Sequence, residues 1–186
     1  MRRRILLLHA HPMPHRSRVN RHLVTAAESI AGITIRHLYE LYPDYMIDVD
    51  AEQKLLLDHD IIVLQHPFFW YSAPALVKEW LDLVLQYGWA YGEGGTALQG
   101  KSLLQSVTTG GAAEVYCSAG RNRHTVREFL LPFEQTARLC GMTYLDPFVV
   151  HGTGQLQTEA DLAPHSQAYC TLLSNLASGI DLPPSL

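Results

Sequence analysis

The sequence lacks paired cysteines and a strong net charge of either sign. Its three cysteines, Cys117, Cys140 and Cys170, are far apart and form no CxxC pair, so neither a zinc ribbon nor a thioredoxin-type site is indicated. Unpaired cysteines favour a reducing, cytoplasmic compartment. The formal net charge is −4 over 186 residues, which excludes the basic footprint typical of nucleic-acid-binding proteins.

Long apolar runs are also missing. The N-terminal segment MRRRILLLHAHP joins a basic cluster to an apolar run of only Ile5 to Leu8, whereas a secretory signal needs a longer apolar stretch and a small-residue cleavage site. No stretch elsewhere is long enough to cross a bilayer. We therefore expect a soluble protein, whose contact with a membrane would be peripheral and through a partner.

Short apolar runs alternate with helical patterns along the chain. The predicted strands are Ile5–Leu8, Ile33–Ile35, Ile61–Leu64, Ser102–Val107 and Thr143–Val150. The predicted helices are Val19–Ile30 closed by Gly32, a segment from Pro74 to Leu85, Thr125–Cys140 with a start or kink at Pro132, and Thr158–Ala177. This alternation predicts a parallel sheet with helices on both faces. We expect one α/β domain over residues 1–178 with a sheet of five strands, and a frayed tail over residues 179–186.

Polar or glycine-rich loops follow three of the predicted strands. They are His11 to Asn20, His66 to Ser72 and Thr108 to Gly111. Ligands of open parallel sheets bind beyond the carboxyl ends of the strands, so these loops are predicted to converge on one site.

The first of these loops runs directly into a helix. The residues at that helix start are Ser17, Arg18, Val19 and Asn20. Free backbone N–H groups at a helix N-terminus, together with the Ser17 hydroxyl and the Asn20 amide, would hold a phosphate, and His11, Arg16 and Arg18 would add positive charge. The alternative is that Ser17 merely caps the helix, as serine commonly does.

The second loop carries four adjacent aromatic residues: Phe68, Phe69, Trp70 and Tyr71. They cannot all face one core, so some of them must line a concavity or an interface. A flat ring system such as an isoalloxazine would pack against them. The alternative is an exposed patch that pairs with another subunit, and the two interpretations are compatible.

The third loop is TTGG, formed by Thr108, Thr109, Gly110 and Gly111. Glycine has no side chain, so the backbone there can approach a ligand closely. Main-chain N–H groups in this loop are candidates to donate to the pyrimidine oxygens of a flavin.

Two other kinds of site are less consistent with the sequence. Gly95–Ser102 matches the phosphate-loop pattern GxxxxGK[ST], but that motif needs a strand before it and a helix after it, and here the order is reversed. His9, His11, His15 and His66 are candidates to cluster, yet no carboxylate accompanies them at a familiar metal-ligand spacing. We expect no metal, and histidines that make ordinary hydrogen bonds or face a ligand.

Longer motifs in the sequence resemble a known family. The series AHPxPxxSxxN, QHPxxWYSxPALxKEWLD, GWAYGxGGTALxGK and TTGG occurs in this order between about Ile5 and Val150. It is similar to the flavodoxin-like NAD(P)H:quinone oxidoreductases, and most of all to the ancillary subunits of glutathione-regulated potassium-efflux systems.

The resemblance implies a flavodoxin-like α/β fold with a five-stranded parallel sheet in the order 2-1-3-4-5. It also implies an FMN cofactor, with NAD(P)H as co-substrate and quinones as acceptors. By this resemblance His11 and the turn from Ser17 to Asn20 would hold the flavin phosphate, and the aromatic and TTGG loops would line the isoalloxazine. A tyrosine and a histidine after TTGG help hydride transfer in the quinone reductases. Tyr116 matches that tyrosine, and His124 stands slightly displaced from the position of the histidine.

The resemblance also implies partners. Such proteins are homodimers with pockets at the subunit interface, and the ancillary subunits bind the cytoplasmic side of a potassium channel and raise its activity. A stand-alone cytoplasmic quinone reductase without a channel partner is the alternative. An electron-carrier flavodoxin is less consistent with the sequence, because a net charge of −4 is mild for docking by charge complementarity.

Overall fold

Continuous apolar runs form the centre of a parallel sheet. In the computed structural model, which describes residues 2–180, the strands are β1 Ile5–His9, β2 Ile33–His37, β3 Ile61–Pro67, β4 Ser102–Thr108, β5 Thr143–Tyr144 and β6 Phe148–Val150. Every residue of β1 and β3 is buried, since helices cover both faces of the sheet. All residues of β2 are only partly buried, as expected for a strand at the sheet edge.

The strand order is β2-β1-β3-β4-β5, with β6 also paired to β4, and every pairing is parallel. The predicted order 2-1-3-4-5 is confirmed. The predicted last strand, Thr143–Val150, is interrupted: Ser102 of β4 pairs with Thr143, and Ser106 pairs with Phe148. Pro147 lies in the break, where its missing N–H prevents a continuous ladder.

Seven α-helices surround the sheet in the described part of the chain. They are α1 Arg18–Glu28, α2 Leu38–Leu41, α3 Val49–Asp58, α4 Ala75–Val84, α5 Val126–Phe129, α6 Leu131–Leu139 and α7 Glu159–Ala177. The helix predicted over Thr125–Cys140 is divided into α5 and α6, with Pro132 in the first turn of α6, where proline is tolerated. Helices α2 and α3 were not predicted from the sequence.

A buried carboxylate anchors α3. Glu52 is fully buried and accepts hydrogen bonds from Arg36 Nη2 at 2.6 Å, from the Tyr42 hydroxyl at 2.7 Å and from Trp80 Nε1 at 3.0 Å. These bonds tie α3 to β2, to the segment after α2 and to α4. A buried charge needs such partners to offset its desolvation.

The sheet separates two apolar cores. One contains Leu6, Leu8 and Trp80 on the face covered by α3, α4 and α6, and the other contains Leu7 and Leu173 on the face covered by α1 and α7.

Among residues 2–180, no helix is both long and apolar enough to span a membrane. The domain limit at residue 178 stays a prediction, and residues 181–186 of the expected frayed tail lie outside the described residues.

Candidate functional site

A cleft of about 290 Å³ lies at the carboxyl ends of β1, β3 and β4. The residues that line it are His11, Arg16, Ser17, Arg18, Val19, Asn20, Pro67, Phe68, Phe69, Thr108, Gly110, Thr153 and Gly154. The loops predicted to converge therefore meet at one cleft. The binding roles of the individual residues stay predictions.

Buried hydrogen bonds hold the first and third loops together. Asn20 Nδ2 donates to Thr108 Oγ1 at 2.8 Å, and Gln65 Nε2 donates to the carbonyl oxygen of Asn20 at 2.9 Å. The hydroxyl of Tyr169 then donates to Gln65 Oε1 at 3.1 Å. The side-chain amide of Asn20, expected to face a phosphate, is thus directed to β4 and joins α1 to the TTGG loop.

The N-terminus of α1 faces the cleft. Ser17 is its N-cap residue, yet within the described chain the Ser17 side chain makes no capping hydrogen bond. Simple capping therefore does not account for this buried serine, which lines the cleft. The amides of the first turn have no partner within the helix, and together with the helix dipole they favour an anion.

His11 adds a neutral donor to the cleft. The backbone N–H of Met13 donates to His11 Nδ1 at 3.1 Å, so the proton of the neutral ring is on Nε2. Burial lowers the pKa of His11 below its usual value, which keeps this ring uncharged at pH 7. His11 can therefore donate a hydrogen bond without contributing the positive charge that was expected from it.

The side chain of Arg18 lines the cleft and also contacts the segment that follows β6. Its Nη1 donates to the carbonyl oxygen of Leu156 at 3.2 Å and to that of Gln157 at 2.6 Å. Because α1 begins at Arg18, this contact fixes the segment after β6 to the wall of the cleft. Arg16, which also lines the cleft, is exposed.

The aromatic loop divides its residues between the cleft and solvent. Phe68 and Phe69 line the cleft, whereas Trp70 is 91% exposed and Tyr71 is 49% exposed. Phe69 and Ser72 exchange both backbone hydrogen bonds, and this tight turn places Trp70 at φ 49° and Tyr71 at φ 63°. Positive φ is unusual for aromatic residues. The backbone of this turn is therefore strained in the conformation that directs these two rings outward.

Gly110 provides an open approach to the backbone of the TTGG loop. A Cβ added to Gly110 would meet no atom of residues 2–180 within 4 Å, although Thr108 and Thr109 on the same loop are buried. The space in front of Gly110 belongs to the cleft. A flat ligand can therefore lie directly against this peptide.

Comparison with known proteins agrees with this architecture. The sequence profile of the flavodoxin-like fold matches residues 3–173. This chain belongs to the flavodoxin-like family. It is 46% identical over 172 residues to the glutathione-regulated potassium-efflux system ancillary protein KefG of Pectobacterium atrosepticum, covering 92% of this chain and 93% of that protein.

Solved flavodoxin-like structures superpose closely on the chain. General stress protein 14 of Treponema denticola, solved in complex with FMN, is 37% identical with a TM-score of 0.85 and covers 96% of this chain and 99% of its own. A P. pentosaceus protein described as an NADPH-quinone reductase is 33% identical with a TM-score of 0.84, covering 92% and 98%. The family resemblance predicted from the motifs is confirmed.

The two residues predicted to assist catalysis lie in different surroundings. The ring centroid of Tyr116 is 5.9 Å from that of Phe68 and 5.4 Å from that of His151. His124 is exposed; its ring lies 5.6 Å from Phe129, and its Nδ1 is 3.6 Å from a carboxylate oxygen of Glu128. The structure thus brings Tyr116, and not His124, against a cleft residue.

A fourth strand-end loop was missed in the sequence. Thr153 and Gly154 line the cleft, and His151 precedes them directly after β6. The sequence does contain a signal for this loop. HGTG is a polar, glycine-containing segment after an apolar run, as are the other site loops. The end of the last strand at Val150 was predicted, but the loop that follows it was not among the predicted site loops.

Two further histidines of the expected cluster, His9 and His66, have hydrogen-bond partners within the protein. His66 is fully buried, its Nδ1 donates to the carbonyl of Pro67, and its Nε2 accepts from Gln105. Burial lowers its pKa to about 4. His9 lies on the other face of the sheet by strand alternation, with its Nδ1 3.0 Å from His37 Nδ1. No group suited to a metal occurs in the range 2–180.

The lysine of the GxxxxGK[ST] pattern, Lys101, makes hydrogen bonds within the protein. Lys101 Nζ donates to the carbonyl oxygens of Leu57 at 3.2 Å and His59 at 2.7 Å, which lie at the C-terminal end of α3. Strand β4 follows directly. This lysine therefore holds carbonyls at a helix end, as basic side chains often do.

Replacing Gly110 by valine tests whether the cleft is a ligand site. The added side chain has room in the folded protein but stands where a ligand would lie, so we expect a thermal midpoint close to that of the wild type and affinity for FMN weakened by at least about tenfold, or ~1.4 kcal/mol. Flavin fluorescence quenching measures the affinity. Ala113→Val, at an exposed site outside the cleft, is the control. Unchanged affinity in Gly110→Val would place FMN elsewhere.

Proposed function

We propose that this protein is an FMN-dependent NAD(P)H:quinone oxidoreductase that acts as the ancillary subunit of a glutathione-gated potassium-efflux system. The observation that carries the proposal is the cleft itself. It combines an anion-favouring helix N-terminus, aromatic walls and an open glycine peptide, which are the three features that a phosphate-bearing flat ring needs.

The residues present fit FMN at both of its ends. The first-turn amides of α1, the Ser17 hydroxyl and the Nε2–H of His11 are the donors proposed for the phosphate. Phe68, Phe69 and the peptide of Gly110 are the surfaces proposed for the isoalloxazine. The Treponema denticola relative, solved in complex with FMN, supports FMN as the ligand.

When bound, FMN supplies the hydride chemistry between NAD(P)H and a quinone. The protein contributes position, exclusion of water and polarity around the reacting atoms. Tyr116 is the proposed donor toward negative charge that develops near the TTGG loop, since its hydroxyl oxygen would lie 3.3 Å from a Cβ on Gly111. His124 is proposed for a similar task, although its exposure and its contact with Glu128 give weaker support.

A homodimer is part of the proposal. Trp70 and Tyr71 are exposed beside the cleft, and the Tyr71 ring lies 5.0 Å from that of Phe129. Strained, outward-facing aromatic residues are retained where the surrounding structure or a partner uses them. A second copy that covers these rings would close the open side of the cleft.

The first experiment is a visible absorption spectrum of the purified protein, with identification of any released chromophore. We expect a yellow protein that releases FMN, and oxidation of NADH or NADPH when a quinone is added. A colourless protein that also fails to take up added FMN would refute the proposed site. Bound FMN without quinone-dependent turnover would refute the reductase activity alone.

Substitutions at Tyr116 and His124 test the proposed catalytic roles. Loss of one well-placed hydrogen-bond donor to developing charge lowers kcat by roughly 10²-fold or more. For Tyr116→Phe we therefore expect kcat to fall by at least about tenfold. For His124→Ala we expect a smaller decrease. Stopped-flow measurement of quinone reduction checks both, and His165→Ala on α7 is the control. If either variant retains wild-type rates, the role assigned to that residue is wrong.

Co-purification with a membrane potassium-efflux protein separates the ancillary subunit from the stand-alone reductase. We expect this protein to be retained by such a transporter in detergent and to stimulate potassium efflux, which would place it peripherally on the cytoplasmic side of the membrane. The relatives named as ancillary proteins support this outcome. The Tyr116→Phe variant, which is expected to have a lower kcat, distinguishes binding to the transporter from quinone reduction. Neither retention nor stimulation would favour the stand-alone quinone reductase.

A further inference from the structure

His151 belongs to the loop whose Thr153 and Gly154 line the cleft, and it has no role in the function proposed so far. It follows β6 directly and is partly buried. Its neighbours are Thr109 of the TTGG loop and Tyr116. It therefore contacts both the loop proposed to face the isoalloxazine and the residue proposed to assist its chemistry.

The hydrogen bonds of Thr109 determine which nitrogen of His151 carries the proton. Thr109 Oγ1 donates its only proton to the carbonyl oxygen of Gly111 at 2.8 Å, and it also lies 3.1 Å from His151 Nδ1. The hydroxyl can only accept in the second contact, so His151 Nδ1 is the donor. The Nε2 atom of the neutral ring then carries the lone pair.

Backbone hydrogen bonds lock the two loops around this contact. The N–H of Thr109 donates to the carbonyl of Val150 at 2.9 Å, the N–H of Thr153 to that of Thr109 at 3.0 Å, and the N–H of Gly152 to that of Gly111 at 2.9 Å. The orientation of the TTGG loop thus depends on the HGTG loop, and His151 provides the side-chain part of this connection.

The second contact of His151 is with Tyr116. Their ring centroids are 5.4 Å apart with an interplanar angle of 38°, and Phe68 packs on Tyr116 from its own loop. Tyr116 is thereby held between a ring of the HGTG loop and a ring of the aromatic loop.

We propose that His151 is a positioning residue: its Nδ1–H fixes Thr109 and the TTGG loop for the flavin, and its ring fixes Tyr116. This proposal rests on the proposed function. It differs from the expected tyrosine–histidine pair, because the histidine beside Tyr116 comes from the loop after the last strand and not from the segment containing His124.

The ring of His151 is neutral in this arrangement. Burial lowers its pKa, and the carboxylate of Glu114 partly opposes that shift. The titratable groups that face it are Glu114 and the Tyr116 phenol. Protonation would add a proton at Nε2 and leave the Nδ1–H donor to Thr109 unchanged, so the positioning of the TTGG loop is expected to be insensitive to pH.

Two substitutions separate the two contacts. His151→Leu removes both the donor and the aromatic ring, whereas His151→Asn places an amide N–H near the position of Nδ1–H but removes the ring. For His151→Leu we expect FMN affinity about tenfold weaker and a lower kcat, since Thr109 loses a buried partner. For His151→Asn we expect affinity restored to within about threefold and kcat still reduced at unchanged KM for quinone. His165→Leu on α7 is the matched control.

The measurements are the FMN dissociation constant by fluorescence quenching, kcat and KM for quinone, and the thermal midpoint. A double variant, Thr109→Val with His151→Leu, should lose less free energy of FMN binding than the sum of the two single losses, because both substitutions remove the same bond. If His151→Leu does not fold, His151→Asn still tests the kcat effect.

Three results would overturn the proposal. Wild-type affinity and kcat in both His151 variants would show that the contacts do not matter. Equal losses of affinity in the leucine and asparagine variants would show that the Nδ1–H bond is not what positions the loop. Absence of FMN binding in the unsubstituted protein would refute the proposed function together with this inference, whereas the first two results leave the proposed function intact.

Discussion

The buried hydrogen bonds from Tyr169 through Gln65 and Asn20 to Thr108 are the interaction on which the site depends. They connect α7, β3, α1 and β4 directly beneath the cleft. All four residues are buried, and a buried polar group without a partner is costly. The chain therefore has one low-energy way to bring these strand ends together, and that arrangement produces the cleft.

The surface around the cleft follows from a second constraint, the tight turn from Phe69 to Ser72. Two consecutive aromatic residues at positive φ store local strain of order 1–3 kcal/mol each. The turn keeps Phe69 in the cleft and directs Trp70 into solvent. One short loop therefore both lines the cleft and presents two aromatic rings to solvent.

The sequence predicted most of the sheet but not every helix. Strands β1 and β3 were recognisable because they are fully buried and each contains a continuous apolar run, as is typical of parallel strands covered on both faces. Helix α3 was missed because one of its two fully buried positions is Glu52, and a glutamate is normally assigned to the solvent face. Only the partners Arg36, Tyr42 and Trp80 explain why this carboxylate points inward.

Local sequence patterns determined the α/β fold class and three of the loops that surround the site, because these features depend on burial, glycine and helix-start signals within a few neighbouring residues. The strand order followed from the family resemblance of the longer motifs. The tertiary structure alone decided the direction of each side chain: the Asn20 amide turns to Thr108, Trp70 points outward, and the ring of His151 lies beside Tyr116. These directions are set by contacts between residues that are far apart in the chain. Such contacts form, and stabilise the protein, only when the sheet has assembled and its loops have packed.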